Sequence, residues 1–493
     1  MAVTANPLPH AHPSPGNTGT GKPEEAGAHH EEHENHSEHL MLDPKPRGEM
    51  NAMAMESMLS TNWKFWVVIV ILAVIVGYGF FYQWAILIIE GQGVAGVTRP
   101  DYWGLFLVDV VFWIGISHAG TFISAILRVM KVEARRPFTR AAELMTTFGL
   151  VQAGLSVFLH LGRVWLTYWM IPLPNQRTLW PDFHSPLMWD FMAITTYLLS
   201  STMYLFLPLI PDAAMARDRS TGWRKLFYRV LALGFRGSER EWKHLGTAMN
   251  IFAVAIIPVM FSVHTIVSWD FAMASRPGWS STVFGPYFVI GALHSGISAV
   301  LLVLFIIRST MKHMEYFLRL EHFDFLGKLS LVISMAWAYF YFNDYIVPWY
   351  GGDVADKELL HFQEHGPAAW IWYTMLICNI AIPWLILWNK NWRRTPWLMA
   401  FIGIAVNIGM YAERYIIVPV SVTVTRSPFI ARLYEAAIEI PITIGMFAFF
   451  LLLYMLASRL IPLIPIWEVE EGQAAHSLQK VGKADIVTLS ELE

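Results

Sequence analysis

Apolar and polar residues alternate along this 493-residue chain on the scale of whole helices. Predominantly apolar runs lie near 63–89, 103–129, 140–165, 187–210, 246–270, 283–308, 325–348, 368–388, 395–417 and 437–457. A helix of about 20 such residues spans the hydrocarbon core of a bilayer and satisfies its own backbone polar groups there. The pattern predicts an all-α polytopic membrane protein with ten transmembrane helices. Pro258 and Pro383 fall inside the fifth and eighth helices, where a missing N–H and a ring clash predict kinks. Ahead of the first run, residues 1–61 are polar and rich in Pro, Gly, Glu and His (10, 12, 29, 30, 33, 36 and 39). That composition cannot bury a core and is expected to be disordered. The irregular His spacing favours a solvated tail over a metal site. No signal peptide is expected, because the first apolar run starts too late. Residues 461–493 read as a second polar tail.

Composition sharpens this picture. Charged residues make up 15% of the chain and hydrophobic ones 55%, against about 25% charged in soluble domains. A net charge of -3 argues against a nucleic-acid partner. Many of the 22 Trp fall where apolar runs meet polar loops, as in an aromatic belt. The one cysteine, Cys378, can neither form an intrachain disulfide nor hold an iron–sulfur cluster. Lys and Arg crowd the loops after the even helices: Lys131, Arg135 and Arg136; Arg217 through Lys243; Lys312 and Arg319; Lys390, Arg393 and Arg394. The odd loops are poorer in both, which predicts cytoplasmic even loops and two cytoplasmic termini.

An internal repeat follows the same topology. GISHAG (115–120) in the second helix and GALHSG (291–296) in the sixth share Gly-x-x-His-x-Gly, and each run continues to an arginine, Arg128 or Arg308. We expect two parallel four-helix repeats, helices 2–5 and 6–9, flanked by helices 1 and 10. The corresponding segments are 62–102 (first helix and loop), 103–270, 271–417, and 418–460 for the last helix.

Ionisable groups inside membrane segments are costly and mark sites. The stretch 151–198 places His160 and Arg163 at the end of the third helix, then Trp189 and Asp190 at the start of the fourth. Proton-accepting groups beside a lipid-soluble substrate would be placed in this way. An ion pair that only pins two helix ends is the alternative. Further candidates are Asp109, Ser117 and His118; Glu143 and Gln152; His264, Ser268 and Asp270; His294; the cluster 339–345; and Glu413 with Arg414. Each has a plain alternative, such as a histidine bonding a neighbouring helix's carbonyl. Their distribution, at the outer ends and again near the midplane, suits a proton path. His118, His160, His264 and His294 fall one per helix, unlike the repeated ligands of stacked two-haem bundles. No haem, iron–sulfur cluster or metal is expected in this chain.

GISHAGTFISAILR, the arginine-rich loop after it and the His160–Asp190 arrangement resemble the NrfD or polysulfide-reductase membrane-subunit family over roughly 103–417. Ordinary members have eight helices. Ten helices and a long head are similar to the NrfD-like subunits of bacterial alternative complex III, above all the longer, quinol-binding one. The resemblance implies two packed four-helix bundles in a bacterial inner membrane and a site for quinol, menaquinol or ubiquinol, at the periplasmic end of the first bundle. It implies His160 and Asp190 as catalytic groups, with Arg163 and Trp189 beside the head group. It also implies a proton route through Asp109, Ser117, His118, Asp270 and His294, with His264, Glu413 and Arg414 assigned less closely. Expected partners are c-type cytochrome subunits, an iron–sulfur cluster subunit and a second NrfD-like membrane subunit. Two other readings stay open: an NrfD-type anchor of a quinone-linked reductase, and a secondary transporter with parallel repeats.

Overall fold

The computed structural model describes residues 45–59, 61–96, 103–273, 278–423 and 437–476, with two short strands at 478–481 and 484–487. Ten of its helices are long and apolar enough to cross a membrane. In order they are Trp63–Glu90, Gly104–Val129, Glu133–His160, Pro186–Arg219, Glu239–Ala272, Phe284–Thr310, Leu320–Gly351, Ala369–Leu387, Pro396–Val420 and Glu439–Leu460. Each overlaps one of the apolar runs, and they are called the first to tenth spans below. The end of the bundle that carries Arg128, Arg135 and Arg217 is called the basic end.

The third span stops at His160, short of the run's end. Gly162 adopts φ +69, which favours glycine, and turns the chain into a 3-10 segment, Val164–Met170. The fourth and fifth spans have 34 residues each. At 1.5 Å per residue each is about 51 Å long, well beyond the ~30 Å hydrocarbon core. Pro258 lies inside an unbroken helix, whereas a π-helical turn, Ile377–Ala381, precedes Pro383.

The second to fifth spans pack in a ring, and the sixth to ninth form another. The repeated motif is the joint between them. A Cβ on Gly296 would lie 2.4 Å from the Ala119 Cβ, and one on Gly115 would lie 3.7 Å from the Ala292 Cα. Small residues at matching places in the two copies therefore let the second and sixth spans touch backbone to backbone. The tenth span packs on the first, with Phe449 stacked on Phe80 at 6.2 Å, and the Glu439 carboxylate accepts from Leu105 N at 3.1 Å.

Two parts of the tails depart from expectation. Residues Arg47–Leu59, inside the stretch read as a disordered tail, form a helix that buries Met50, Asn51, Ala54, Met55 and Met58. The histidines from His10 to His39 lie outside the described residues. Ile466–His476 is also helical and docks on the basic end. There Glu468, 1% exposed, bridges Arg135 at 2.8 Å and Arg128 at 3.3 Å, and Trp467 Nε1 donates to the Pro208 carbonyl at 2.9 Å. Beyond it, Leu478–Val481 and Ala484–Val487 pair antiparallel, with Leu478 opposite Val487. This hairpin is the β-structure among the described residues of an otherwise helical fold.

Candidate functional site

Asp190 lies one turn inside the fourth span, whose first residue, Pro186, is set for a helix start by its fixed φ. Asp270 lies two residues before the end of the fifth span. These two spans are consecutive and antiparallel, so both acids fall at the end opposite the basic one. The two acids are electrostatic neighbours, and Oδ1 of each finds no hydrogen-bond partner among the described residues. A carboxylate has no donor, so a hydrogen bond between the two would need one proton shared by the pair. Asp190 is 5% exposed.

Each acid follows a tryptophan. Trp189 and Trp269 line a cleft of about 390 Å³ between the fourth and fifth spans, with Met188, Met192, Val263 and Ile266. Ser262, Ile266 and Trp269 are shared with a second cleft of about 610 Å³ that follows the fifth span toward Ile257 and Pro258. The two clefts together run along the fifth span, and two of the residues that line them, Trp189 and Trp269, directly precede the two acids. Trp189 is held by its indole N–H, which donates to the Phe183 carbonyl at 2.8 Å.

His160 is buried at the same end of the third span, with Nδ1 3.3 Å from the Ser156 carbonyl. The Gln92 amide donates to the carbonyls of Leu159 and His160 at 3.0 and 2.8 Å and fixes this helix end. Among the described residues no hydrogen bond or ion pair joins His160 to Asp190. The fourth span also meets the fifth along its length, and there Asp190 neighbours Asp270. Arg163 is exposed in the loop beyond.

The remaining candidates fall into an interior column and its surroundings. His118 bridges two spans, with Nδ1 2.7 Å from the Ile114 carbonyl of its own helix and Nε2 3.0 Å from the Met260 carbonyl of the fifth. Its ring is 5.1 Å from Tyr197 and 4.5 Å from His264, which stacks on Phe288 at 4.7 Å. The Arg414 guanidinium lies 4.0 Å from the Phe288 ring centre and 3.4 Å from Glu413 Oε2. Glu413 accepts from Trp337 Nε1 at 3.2 Å and from the Tyr287 hydroxyl. Polar and aromatic groups thus run from the first bundle into the second across their joint.

Asp109 faces elsewhere, accepting from Tyr411 at 3.0 Å and Thr443 at 2.8 Å. Ser117 donates to its own helix at Ile114. His294 stacks on Trp337 at 6.3 Å, so the two repeat histidines meet different neighbours. Glu143 lies 3.7 Å from Arg140, which also pairs with Asp212 at 3.0 Å, and all three are buried at the basic end. Gln152 makes no side-chain hydrogen bond among the described residues, and Ser268 bonds its own helix at Thr265. In the 339–345 cluster, Asp344 accepts from Ser281 and Tyr341 accepts from Trp372 at 2.7 Å. Sequence reasoning did not single out Asp212, Glu468, Tyr287 or Trp337. It assigned Asp270 to a proton path and overlooked the signal that pairs it with Asp190, a Trp-Asp dipeptide at the same end of two consecutive helices.

The family model Polysulphide reductase, NrfD matches residues 93–425. Three similar proteins carry names of redox-complex subunits. A proposed dimethyl sulfoxide reductase membrane subunit of Halobacterium salinarum is 26% identical over 248 residues, 50% of this chain. The chain covers 52% of that protein's length. A selenate reductase subunit of Mesobacillus selenatarsenatis is 24% identical over 67% of this chain and 76% of its own. The Hdr-like menaquinol oxidoreductase integral membrane subunit of Archaeoglobus fulgidus is 22% identical over 83% of this chain and 96% of its own.

Proposed function

The chain belongs to the NrfD polysulphide reductase family of integral membrane proteins, and from that premise we propose that it oxidises quinol as the membrane subunit of a quinone-linked oxidoreductase. One observation carries the proposal. Two neighbouring carboxyl groups, buried Asp190 and half-buried Asp270, directly follow Trp189 and Trp269, which line an apolar cleft between two spans. A lipid-soluble quinol enters such a cleft from the bilayer side, its isoprenoid chain against Trp269, Val263 and Ile266, and brings its hydroxyls to the acids.

Oxidation of one quinol releases two electrons and two protons. The acid pair, holding one proton, accepts one more and becomes two neutral carboxyl groups. His160 takes the second; in the tautomer whose Nδ1 donates to the Ser156 carbonyl, Nε2 is the accepting atom. The electrons leave to an iron–sulfur partner docked over the same end. The excess of Lys and Arg at the basic end supports a cytoplasmic basic end, a periplasmic acid pair and cytoplasmic termini, in a bacterial inner membrane.

The reading extends to an assembly like alternative complex III, with c-type cytochrome subunits and a second NrfD-like membrane subunit. Ten spans in place of eight support it, and the name of the Archaeoglobus relative supports menaquinol as substrate. The column from Tyr197 to Glu413 supports a proton path that joins both bundles. A second reading reverses the electron flow, and the two relatives named as reductase subunits favour it. Stopped-flow of the intact complex decides direction: quinol added to the oxidised complex is expected to reduce the partner's clusters within a turnover. Cluster oxidation by quinone, with no reduction by quinol, would establish the reverse.

A further inference from the structure

We propose that the helix Gly222–Leu231, between the fourth and fifth spans, lies in the membrane surface and binds anionic phospholipid head groups. Its sequence is GWRKLFYRVL, with Arg224, Lys225 and Arg229 and no acidic residue. Trp223, Leu226, Val230 and the following Leu233 are 65%, 61%, 64% and 70% exposed. The spacing of three and four residues puts the first three on one helix face, and Leu233 follows in the turn after the helix. Lys225 and Arg229 are exposed along the border of that face. The opposite side is fixed to the protein by buried Tyr228.

Two bonds set the height of this helix. The Tyr228 hydroxyl donates to the carbonyl of Leu460, the last residue of the tenth span, at 3.1 Å. Arg224 donates to the carbonyl of Met58, just ahead of the first span, at 3.0 Å. The helix therefore lies level with the ends of the first and tenth spans, where hydrocarbon gives way to head groups. An apolar stripe bordered by cations at that depth matches a leaflet surface in both polarity and charge. The apolar side chains enter the acyl boundary, and the cations reach the phosphates. The same four side chains facing water would form an exposed apolar patch of the kind that marks an interaction surface.

The chain's one natural cysteine makes the test direct. In a Cys378→Ser background, single cysteines replace Leu226, Val230 or Lys225, and each carries a nitroxide in the intact complex in lipid nanodiscs. Labels at 226 and 230 are expected to collide with oxygen more than with a polar nickel reagent, and the label at 225 the reverse. Lys225→Gln/Arg229→Gln is expected to lower the enrichment of phosphatidylglycerol over phosphatidylcholine around the 226 label by about tenfold, the order expected for two cations at an anionic surface. Nickel access at 226 and 230 equal to that at 225 overturns the proposal. Exclusion of both reagents also overturns it, since a protein partner then covers the stripe. Unchanged lipid enrichment in the double variant removes the anionic head group as ligand.

Discussion

Replacing Asp270 with Asn separates the proton shared by the acid pair from the shape of the site. In the proposed protonation state of the native pair, one carboxyl donates to the other. The asparagine amide introduced at this position also donates, so the hydrogen bond to Asp190 and the side-chain volume survive while the exchangeable proton is lost. Assembly is therefore expected within about 1 kcal/mol of native, the net worth of one hydrogen bond. Turnover is expected to fall by about 10²–10⁴, the usual contribution of one positioned acid–base group, or roughly 3–5 kcal/mol of barrier at 1.36 kcal/mol per tenfold. Asp190→Asn is expected to behave alike. Because both acids serve one proton, the double variant is expected to be little slower than either single variant, far from the product of the two losses. The assay is quinol oxidation by the purified complex, normalised to the iron–sulfur content of the partner. Native turnover in the assembled single variants would refute the role. Multiplicative losses in the double variant would refute the shared proton.

Other consequences follow from the packing. Gly296→Ala places a methyl 2.4 Å from the Ala119 Cβ; it is expected to cost about 1–3 kcal/mol, read as a lower Tm in detergent, with partial recovery in Gly296→Ala/Ala119→Gly. Glu468→Gln removes the charge that holds Arg128 and Arg135; a loss of about 1–3 kcal/mol at this contact is expected to free the C-terminal helix, seen as faster limited proteolysis beyond Pro465 with the spans intact. His118→Ala removes the bridge between the second and fifth spans without touching the acid pair. In proteoliposomes it is expected to lower protons moved per electron while quinol oxidation stays within several-fold, and equal loss of both would count against a separate coupling role.

The ten spans were legible because a bilayer imposes one long apolar run per crossing, and chain order then makes neighbours antiparallel. The repeat was legible because Gly-x-x-His-x-Gly recurs four spans apart, and the joint at Ala119 and Gly296 gives that spacing its physical cause. The pairing of Asp190 with Asp270 needed one more step, the reading of consecutive spans as facing partners. Attention instead went to His160, which is nearer to Asp190 in sequence. The helix Arg47–Leu59 escaped because its buried methionines sit among Glu and Asn in a stretch of low mean hydropathy. Glu468 escaped because an acid in a terminal segment reads as solvated until the arginines of the basic end are placed around it.

The two repeats differ in the setting of their acids, which supports placing the proposed chemistry in the first. Asp270 lies on the fifth span and Glu413 on the ninth, the last spans of the two bundles. Glu413 is surrounded by donors: the Trp337 indole, the Tyr287 hydroxyl and the Arg414 guanidinium. Asp109 has Tyr411 and Thr443, and Asp212 has Arg140. Both oxygens of Asp109 and Asp212 and Oε1 of Glu413 thus accept from neighbouring donors without a proton of their own, while Glu413 Oε2 has the Arg414 charge at 3.4 Å. Asp270 faces another acid, because the fourth span supplies Asp190 where the eighth, Ala369–Leu387, has no acidic residue. A carboxyl that faces a carboxyl is bonded only while a proton is present between them. Among these acids, the proposed proton exchange therefore fits the Asp190–Asp270 pair best, and the cleft lined by Trp189 and Trp269, the residues just before the two acids, is where a lipid-soluble substrate would approach it.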